Sequence, residues 1–356
     1  MKNIEGLRIL EVGQFCLLKR NLPEQTTLVY TGNDFSRLHG LEYIPFGLRI
    51  IPWLQRSLSS GNWDIVFCHS PIHPVWDTRH GMVDAVRHLL RQFRNERTFA
   101  SSLLDRTIDC PLVMLDFNDE SAIPGHVFPL LDRCTLYFKR ELPADFAKAF
   151  LNASADLRYP ANAHSSDFFN RNAHKLRPIS LAVPESTARL ASSLEPEKEN
   201  DVFFAGSIHT TVRQQGLPVL TALREQGYRI DVCQDVLPKE HYLERCAKAW
   251  LTWSPEGYGW DCFRHYEASL CHSVPVMNFP GIFRHAPLLD GVHGFLYPVE
   301  GDGLRNTLIA ALSDKSRLKT MAANARRHVL SHHTHSRIIE HILSSCLPET
   351  LNTTSR

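Results

Sequence analysis

What this chain lacks narrows it before what it holds does. It has no charge excess: 39 Lys and Arg stand against 38 Asp and Glu, a formal net charge of +1. Neither a basic nucleic-acid face nor an acidic solvating tail is written into that composition. It has no apolar run near the ~20 residues that span a bilayer. Met1 to Leu10 mix charged and apolar groups without the continuous apolar stretch of a signal peptide. Secretion and membrane spanning are disfavoured, and the expected location is cytoplasmic, with a peripheral membrane role left open. There is no CxxC pair. The nine cysteines fall singly at 16, 68, 110, 134, 233, 246, 262, 271 and 346. That disfavours a zinc ribbon or redox dithiol and reads as buried thiols of a reducing compartment. Four of the 19 histidines (His332, His333, His335, His341) crowd the C-terminal end. No carboxylate or thiol converges on them, so they read as a polar helix face, and no metal site is expected. Internal repeats and low-complexity tracts are absent too.

What is present suits two domains: 356 residues, 43% of them hydrophobic. Leu7–Val12, Thr27–Tyr30, Asp64–Cys68, Pro111–Leu115 and Cys134–Phe138 are short runs rich in Val, Ile, Leu and Phe without strict alternation. That is the pattern of parallel strands covered on both faces. Met82–Phe93 carries apolar residues at helical spacing. The segment 183–200 is polar, charged and broken by proline, and predicts a linker. Strand-like runs restart at Asp201–Ala205, Tyr228–Val232, Trp250–Trp253, Val274–Asn278 and Gly294–Tyr297, with helical stretches between them. The expected organisation is α/β. A doubly wound Rossmann-like domain over 1–182 is followed by the linker, a second such domain over 201–330, and a C-terminal helix and tail over 331–356. Two such sheets facing across a cleft would bind ligand beyond the carboxyl ends of their strands.

Trp250–Pro275 carries the most chemistry. It opens as a buried strand, passes through a loop with Gly257 and Gly259, and enters a helix at about Cys262 or Phe263. Glycines allow close backbone approach, and a helix N-terminus offers unpaired N–H groups and a positive dipole end. That suits a diphosphate. Arg264 adds a charged fork. Glu267, three residues on and so on the same face, is placed to accept hydrogen bonds from ribose hydroxyls.

This segment resembles the nucleotide-sugar motif of GT-B glycosyltransferases, and more narrowly the exostosin-like and spore-maturation-type subset with an Arg–x–x–Glu–Ala pattern. The matching residues are Arg264, Glu267, Ala268, Val274 and Pro275. Asp201–Ser207 is similar to the first strand and loop of the donor domain, which implies that Gly206 and Ser207 meet donor phosphates. Arg213 follows where such enzymes often carry a basic residue. Tyr137–Leu142 and Gly291–Leu296 resemble two further family segments. The resemblance implies a glycosyltransferase moving a sugar from a nucleotide-sugar donor to a glycan, glycolipid or protein acceptor, with no cofactor and no metal. By analogy it would work at the inner face of a membrane. In one respect the chain departs from the pattern. Many retaining members carry two glutamates separated by seven residues, whereas ten lie between Glu256 and Glu267, which leaves the stereochemical outcome open.

An inverting transfer needs a general base within reach of the acceptor hydroxyl. The first domain offers two loops for it, Cys68–Pro74 and Asp116–Ser121. Asp119 ranks first and His69 second, with His73, Asp116 and Glu120 beside them. Trp53, Trp63 and Trp76 read as core packing before sugar or membrane contacts. Two alternatives stay open: a non-catalytic glycosyltransferase-like binding protein in a polysaccharide assembly complex, and a sugar-nucleotide epimerase on the same fold.

Overall fold

The structure is a computed structural model and describes residues 4–32, 34–70, 108–123, 127–150 and 166–347. The expected helix Met82–Phe93, His73 and Trp76 lie outside these residues. The chain divides into two compact units, Met1–Pro178 with Ile339–Arg356, and Ile179–Ile338.

The first unit is built on seven parallel strands: β1 (Ile9–Gly13), β2 (Thr26–Tyr30), β3 (Ile44–Pro45), β4 (Ile65–His69), β5 (Leu112–Asp116), β6 (Leu136–Lys139) and β7 (Leu176–Pro178). Their order is β3-β2-β1-β4-β5-β6-β7. The runs read from the sequence as doubly covered strands are buried at every position in β1, β4 and β5. β3 and β7, two and three residues long and each holding a proline, escaped the sequence reading. They stand at the two edges, where a missing N–H costs nothing. Trp53 and Trp63 pack against the core of this unit, and the Trp63 indole N–H donates to Ser57 Oγ at 2.8 Å.

The second unit holds five parallel strands: β8 (Asn200–Ala205), β9 (Ile230–Cys233), β10 (Ala249–Trp253), β11 (Val274–Asn278) and β12 (Phe295–Tyr297), in the order β12-β11-β10-β8-β9. Trp253 is wholly buried beneath the helix Thr211–Glu225. A Cβ on Gly216 of that helix would stand 2.2 Å from the Trp253 ring. Only glycine allows helix and sheet to close to this distance.

In both sheets the chain winds outward from one strand in one direction, then returns to wind in the other. The reversal falls between β1 and β4 in the first and between β8 and β10 in the second. In open α/β sheets ligands bind beyond the carboxyl ends of the strands at such a switch point. The topology thus singles out Gly13 and His69 in one unit, and Ala205 and the loop after Trp253 in the other.

The expected linker 183–200 is corrected. Glu185–Ser192 is a helix that buries Thr187, Ala188 and Ala191, and it belongs to the second unit. Proline and charge read there as a break. Pro184, however, immediately precedes the helix, and Glu185 is in its first turn, where a carboxylate complements the dipole. The boundary falls at Pro178, and the chain rejoins the first unit within the helix His335–Cys346. The histidine-rich end is a polar face only in part: His332 is exposed and His335 half-buried. His333 is buried, with Nδ1 at 2.9 Å from Ser180 Oγ and Nε2 at 2.8 Å from the carbonyl of Ala286. His341 packs edge-on to Phe138.

Candidate active site

At the switch point of the second sheet β8 ends in Ala205 and the chain turns through Gly206, whose φ is +151°. A Cβ there would lie 2.7 Å from the guanidinium of Arg264, so glycine is required both for the backbone and for the arginine. Arg264 stands in the first turn of the helix Phe263–Leu270. Its Nε donates to the Ala205 carbonyl at 3.2 Å and its Nη1 to the Pro255 carbonyl at 3.3 Å. Its guanidinium lies over the Phe204 ring, 5.1 Å from the centroid.

Arg213 comes to the same place from the helix Thr211–Glu225, whose N-cap Thr210 accepts the Arg213 backbone N–H. Its Nε donates to the Glu256 carbonyl and its Nη1 to the Ser207 carbonyl, both at 2.9 Å. One side chain thereby ties the Gly206–Ser207 turn to the loop after β10. A Cβ on Gly257 would stand 3.1 Å from Arg213 Nη2, and the Gly257 N–H closes the loop on the Gly259 carbonyl at 2.9 Å. Burial, with Arg264 close by, pushes the Arg213 guanidinium below its ordinary value. Neither arginine forms a salt bridge with a carboxylate among the described residues. Two positive charges therefore meet only carbonyl oxygens, beside a helix N-terminus. Chemically this is a site that an anion completes.

Six of the seven expected donor residues (Gly206, Ser207, Arg213, Gly257, Gly259, Arg264) come together here. Glu267 stands one helical turn deeper, buried, and does not pair with Arg264; its carboxylate is held by Lys239 Nζ. Sequence spacing finds a partner on the same helix and misses one from another. Also missed was Asn278, at the end of β11. It accepts the Glu256 N–H on Oδ1 and donates through Nδ2 to Glu256 Oε2, both at 2.9 Å. Tyr258, 79% exposed, stacks on His209 at 4.3 Å, and Ser207 Oγ lies 2.7 Å from His209 Nδ1.

In the first unit the base candidates stand in two groups. Asp119 extends from the loop after β5, with its carboxylate half exposed and taking Arg140 Nη2 on Oδ1. Arg140 also donates to the Phe117 carbonyl at 2.9 Å and to Glu141 at 3.2 Å. Asp116 is buried and structural: it accepts the Asn118 N–H, the Tyr137 hydroxyl at 2.7 Å and Lys139 Nζ at 2.9 Å. Burial beside that carboxylate raises the Tyr137 hydroxyl well above its usual value. His69 ends β4 at the switch point and is wholly buried. Its Nε2 is 2.8 Å from Glu11 Oε1, and its Nδ1 has no hydrogen-bond partner among the described residues. Glu11 was missed, although a lone carboxylate inside the apolar run Leu7–Val12 was a signal. Among the described residues no group of three or more His, Cys, Asp and Glu can hold a metal ion, and no helix is long and apolar enough to cross a membrane.

No family model matches this chain, and no curated protein matches it. Solved structures do. HepE of Anabaena, crystallised with UDP, is 14% identical, with a TM-score of 0.56 over 95% of this chain and 99% of that one. A glycosyltransferase of Rickettsia africae is 11% identical, with a TM-score of 0.59 over 98% and 99%. A UDP-forming trehalose-phosphate synthase of Burkholderia xenovorans is 9% identical, with a TM-score of 0.59 over 98% and 100%. At such identities the likeness is one of fold. The chain has the two-domain, Rossmann-like GT-B architecture of glycosyltransferases.

Proposed function

We propose that this chain is a glycosyltransferase that moves a sugar from a nucleotide-sugar donor to a hydroxyl acceptor, a glycan, lipid-linked glycan or protein, in the cytoplasm. The observation that carries the reading is the pair of guanidinium groups, Arg213 and Arg264, whose hydrogen bonds among the described residues all go to backbone carbonyls at the switch point of the second sheet. In this reading the donor diphosphate lies against them and against the N–H groups near Gly206 and Gly257. As the bond to the sugar breaks, negative charge grows on the diphosphate, and fixed cations already aimed at it stabilise that charge without reorganising. The arginines supply the positive charge the leaving group needs, so no metal enters the reading. Glu267, one turn deeper, takes the ribose hydroxyls, with Lys239 giving way. Two of the structural neighbours are described with UDP, one bound to it and one forming it, which makes UDP the first nucleotide to test.

The test is a thermal-shift panel of UDP, GDP, ADP, CMP and TDP. A ligand that binds only the folded state raises the melting temperature, by about 2.7 kcal/mol of added stability at a hundred times its Kd. One nucleoside diphosphate should stand out. A flat panel would count against the donor site.

A further inference from the structure

We propose that His293, His328 and His333 form an acid-released clasp that holds the segment 279–294, between β11 and β12, on the end of the helix Lys315–His332. All of it lies within the second unit, and it stands whether or not the chain is a transferase.

Backbone partners fix the protons of all three rings. A carbonyl only accepts, and the Ala286 carbonyl takes both His328 Nε2 and His333 Nε2 at 2.8 Å. Each of these rings therefore carries a proton on Nε2. An amide N–H only donates, and that of Leu289 reaches His293 Nδ1 at 3.1 Å, so this nitrogen holds a lone pair. His333 Nδ1 accepts the Ser180 hydroxyl at 2.9 Å in the same tautomer. The clasp closes on strained backbone. Ala286 stands at φ +39°, where a residue other than glycine persists only when its surroundings hold it.

The rings also pack on one another. His293 stacks on His328 at 4.2 Å, and His332 lies 4.7 Å from His328. His333 lies 5.5 Å from His328 and 5.9 Å from His285. The hydrogen bonds of the three clasp rings go to backbone groups and Ser180 and, among the described residues, to no carboxylate. Of the charged groups around them, Arg284 turns to the Leu288 carbonyl and the Trp260 ring, and Asp290 accepts the Leu296 N–H. Arg317 lies over Phe295, Arg326 bonds Leu270 and Ser192, and Arg327 bonds Asn324. Tyr266, 4.6 Å from the His333 ring, separates it from Asp261, and His335 stands near Glu185. A further proton thus meets like charge. On His293 it also removes the acceptor of the Leu289 N–H. His293 and His328 are half-buried, so acid reaches them first. Burial, then His328 and His332, pushes His293 below its ordinary value; burial does the same at His328, with the Ala286 carbonyl opposing and His332 adding. The closed segment therefore binds protons less readily than the open one. Closure is full above about pH 6.5, the value of a free histidine, and is lost as pH falls through the lower values of the closed rings. The segment starts beside Asn278, which holds Glu256, and carries Arg284 over Trp260. Its release loosens the loop that positions Gly257 and Gly259.

Amide hydrogen exchange of the full chain tests the clasp, each rate taken relative to that of an unstructured chain at the same pH. Amides of the segment 286–294 should exchange faster than those of β10, as a local opening requires. Their protection should fall about tenfold between about pH 8 and about pH 5.5, the effect of one proton taken up on opening. His293→Asn keeps an acceptor near Nδ1 and His328→Gln a donor near Nε2, and neither takes a proton. In the double variant, protection at the lower pH should stay within about twofold of that at the higher. A wild type without the fall, an equal fall in the double variant, or a segment as protected as β10 would overturn the clasp. Histidine NMR of the wild type decides the matter if the double variant does not fold. His293 should be bare at Nδ1 at about pH 8, and His293 and His328 should both take up their protons below about pH 6.5. Uptake at or above that pH by either ring would contradict the clasp.

Discussion

The two sheets share a winding rule and differ in how they treat charge at its reversal. Beyond β8 and β10, Arg213 and Arg264 meet carbonyl oxygens and, among the described residues, no carboxylate. Beyond β1, β4 and β5, Glu11 meets His69, Asp116 meets Lys139 and Tyr137, and Arg140 meets Asp119 and Glu141. The first arrangement leaves net positive charge waiting in a low dielectric and so is completed by something that binds. The second pairs charged side chains with one another and so holds them in fixed orientation. In the proposed reading, one topology holds an anion site in one unit and a cluster of paired side chains in the other. The difference is carried by a few side chains at the strand ends.

The sharpest way to break the contrast is to open a closed pair. Lys139→Met strands a wholly buried Asp116 charge. We expect a loss of about 3–5 kcal/mol in urea unfolding, partly recovered in Lys139→Met/Asp116→Asn. A loss below about 1 kcal/mol would mean that the first site is not closed by this pair.

Acid should separate the units next. Burial pushes His265 down to about 4 and His333 down to about 3. At His333 the Ala286 carbonyl partly offsets burial, and His285, His328 and His332 add repulsion. Both folded-state values lie below that of a free histidine, so the unfolded chain binds more protons as pH falls. Stability is full above about pH 6.5. It is lost as pH falls through about 4 and about 3, on the order of 3–5 kcal/mol per group. Urea unfolding of the second unit, followed through the buried Trp253 and Trp260, should show this slope between pH 7 and 4. His265→Gln should flatten it, and an unchanged slope in that variant would contradict the assignment.

Gly206→Ala tests how closely the anion site is built. At φ +151°, with Arg264 2.7 Å from the added carbon, it should cost about 1–3 kcal/mol and weaken UDP binding about tenfold. Wild-type affinity would show that Arg264 does not need its present position. Asp119→Ala is the mildest change. Its half-exposed ion pair with Arg140 is worth at most about 1 kcal/mol. If His69 is the base, UDP release should fall less than about tenfold. A loss of about 100-fold or more would move the proton acceptor to Asp119.

Much of this was legible in the sequence, for physical reasons. Parallel strands covered on both faces leave unbroken apolar runs, and those runs gave β1, β4, β5, β8, β10 and β11. Arg264, Gly257 and Gly259 stand within one strand–loop–helix segment, so local spacing was enough to group them. Groups assembled by strand pairing were not visible. Glu11 and His69 are 58 residues apart and meet only because β1 lies beside β4. Lys239 reaches Glu267 from another helix, and Asn278 reaches back to Glu256 from β11. The linker was misread because proline and charge mark a helix start as readily as a break, and only the buried face of Glu185–Ser192 decides between them. His333 was read as surface because its partners, Ser180 and Ala286, are remote in sequence.

If Arg264 and Arg213 form an anion site for the diphosphate of a nucleotide, removing one guanidinium must weaken its binding. Isothermal titration of UDP into the wild type and into Arg264→Ala tests it most directly. UDP should bind the wild type saturably and the variant about 10- to 150-fold more weakly, the worth of a charge-assisted hydrogen bond of about 1.5–3 kcal/mol. Equal affinity in the two proteins, with the variant folded, would contradict it.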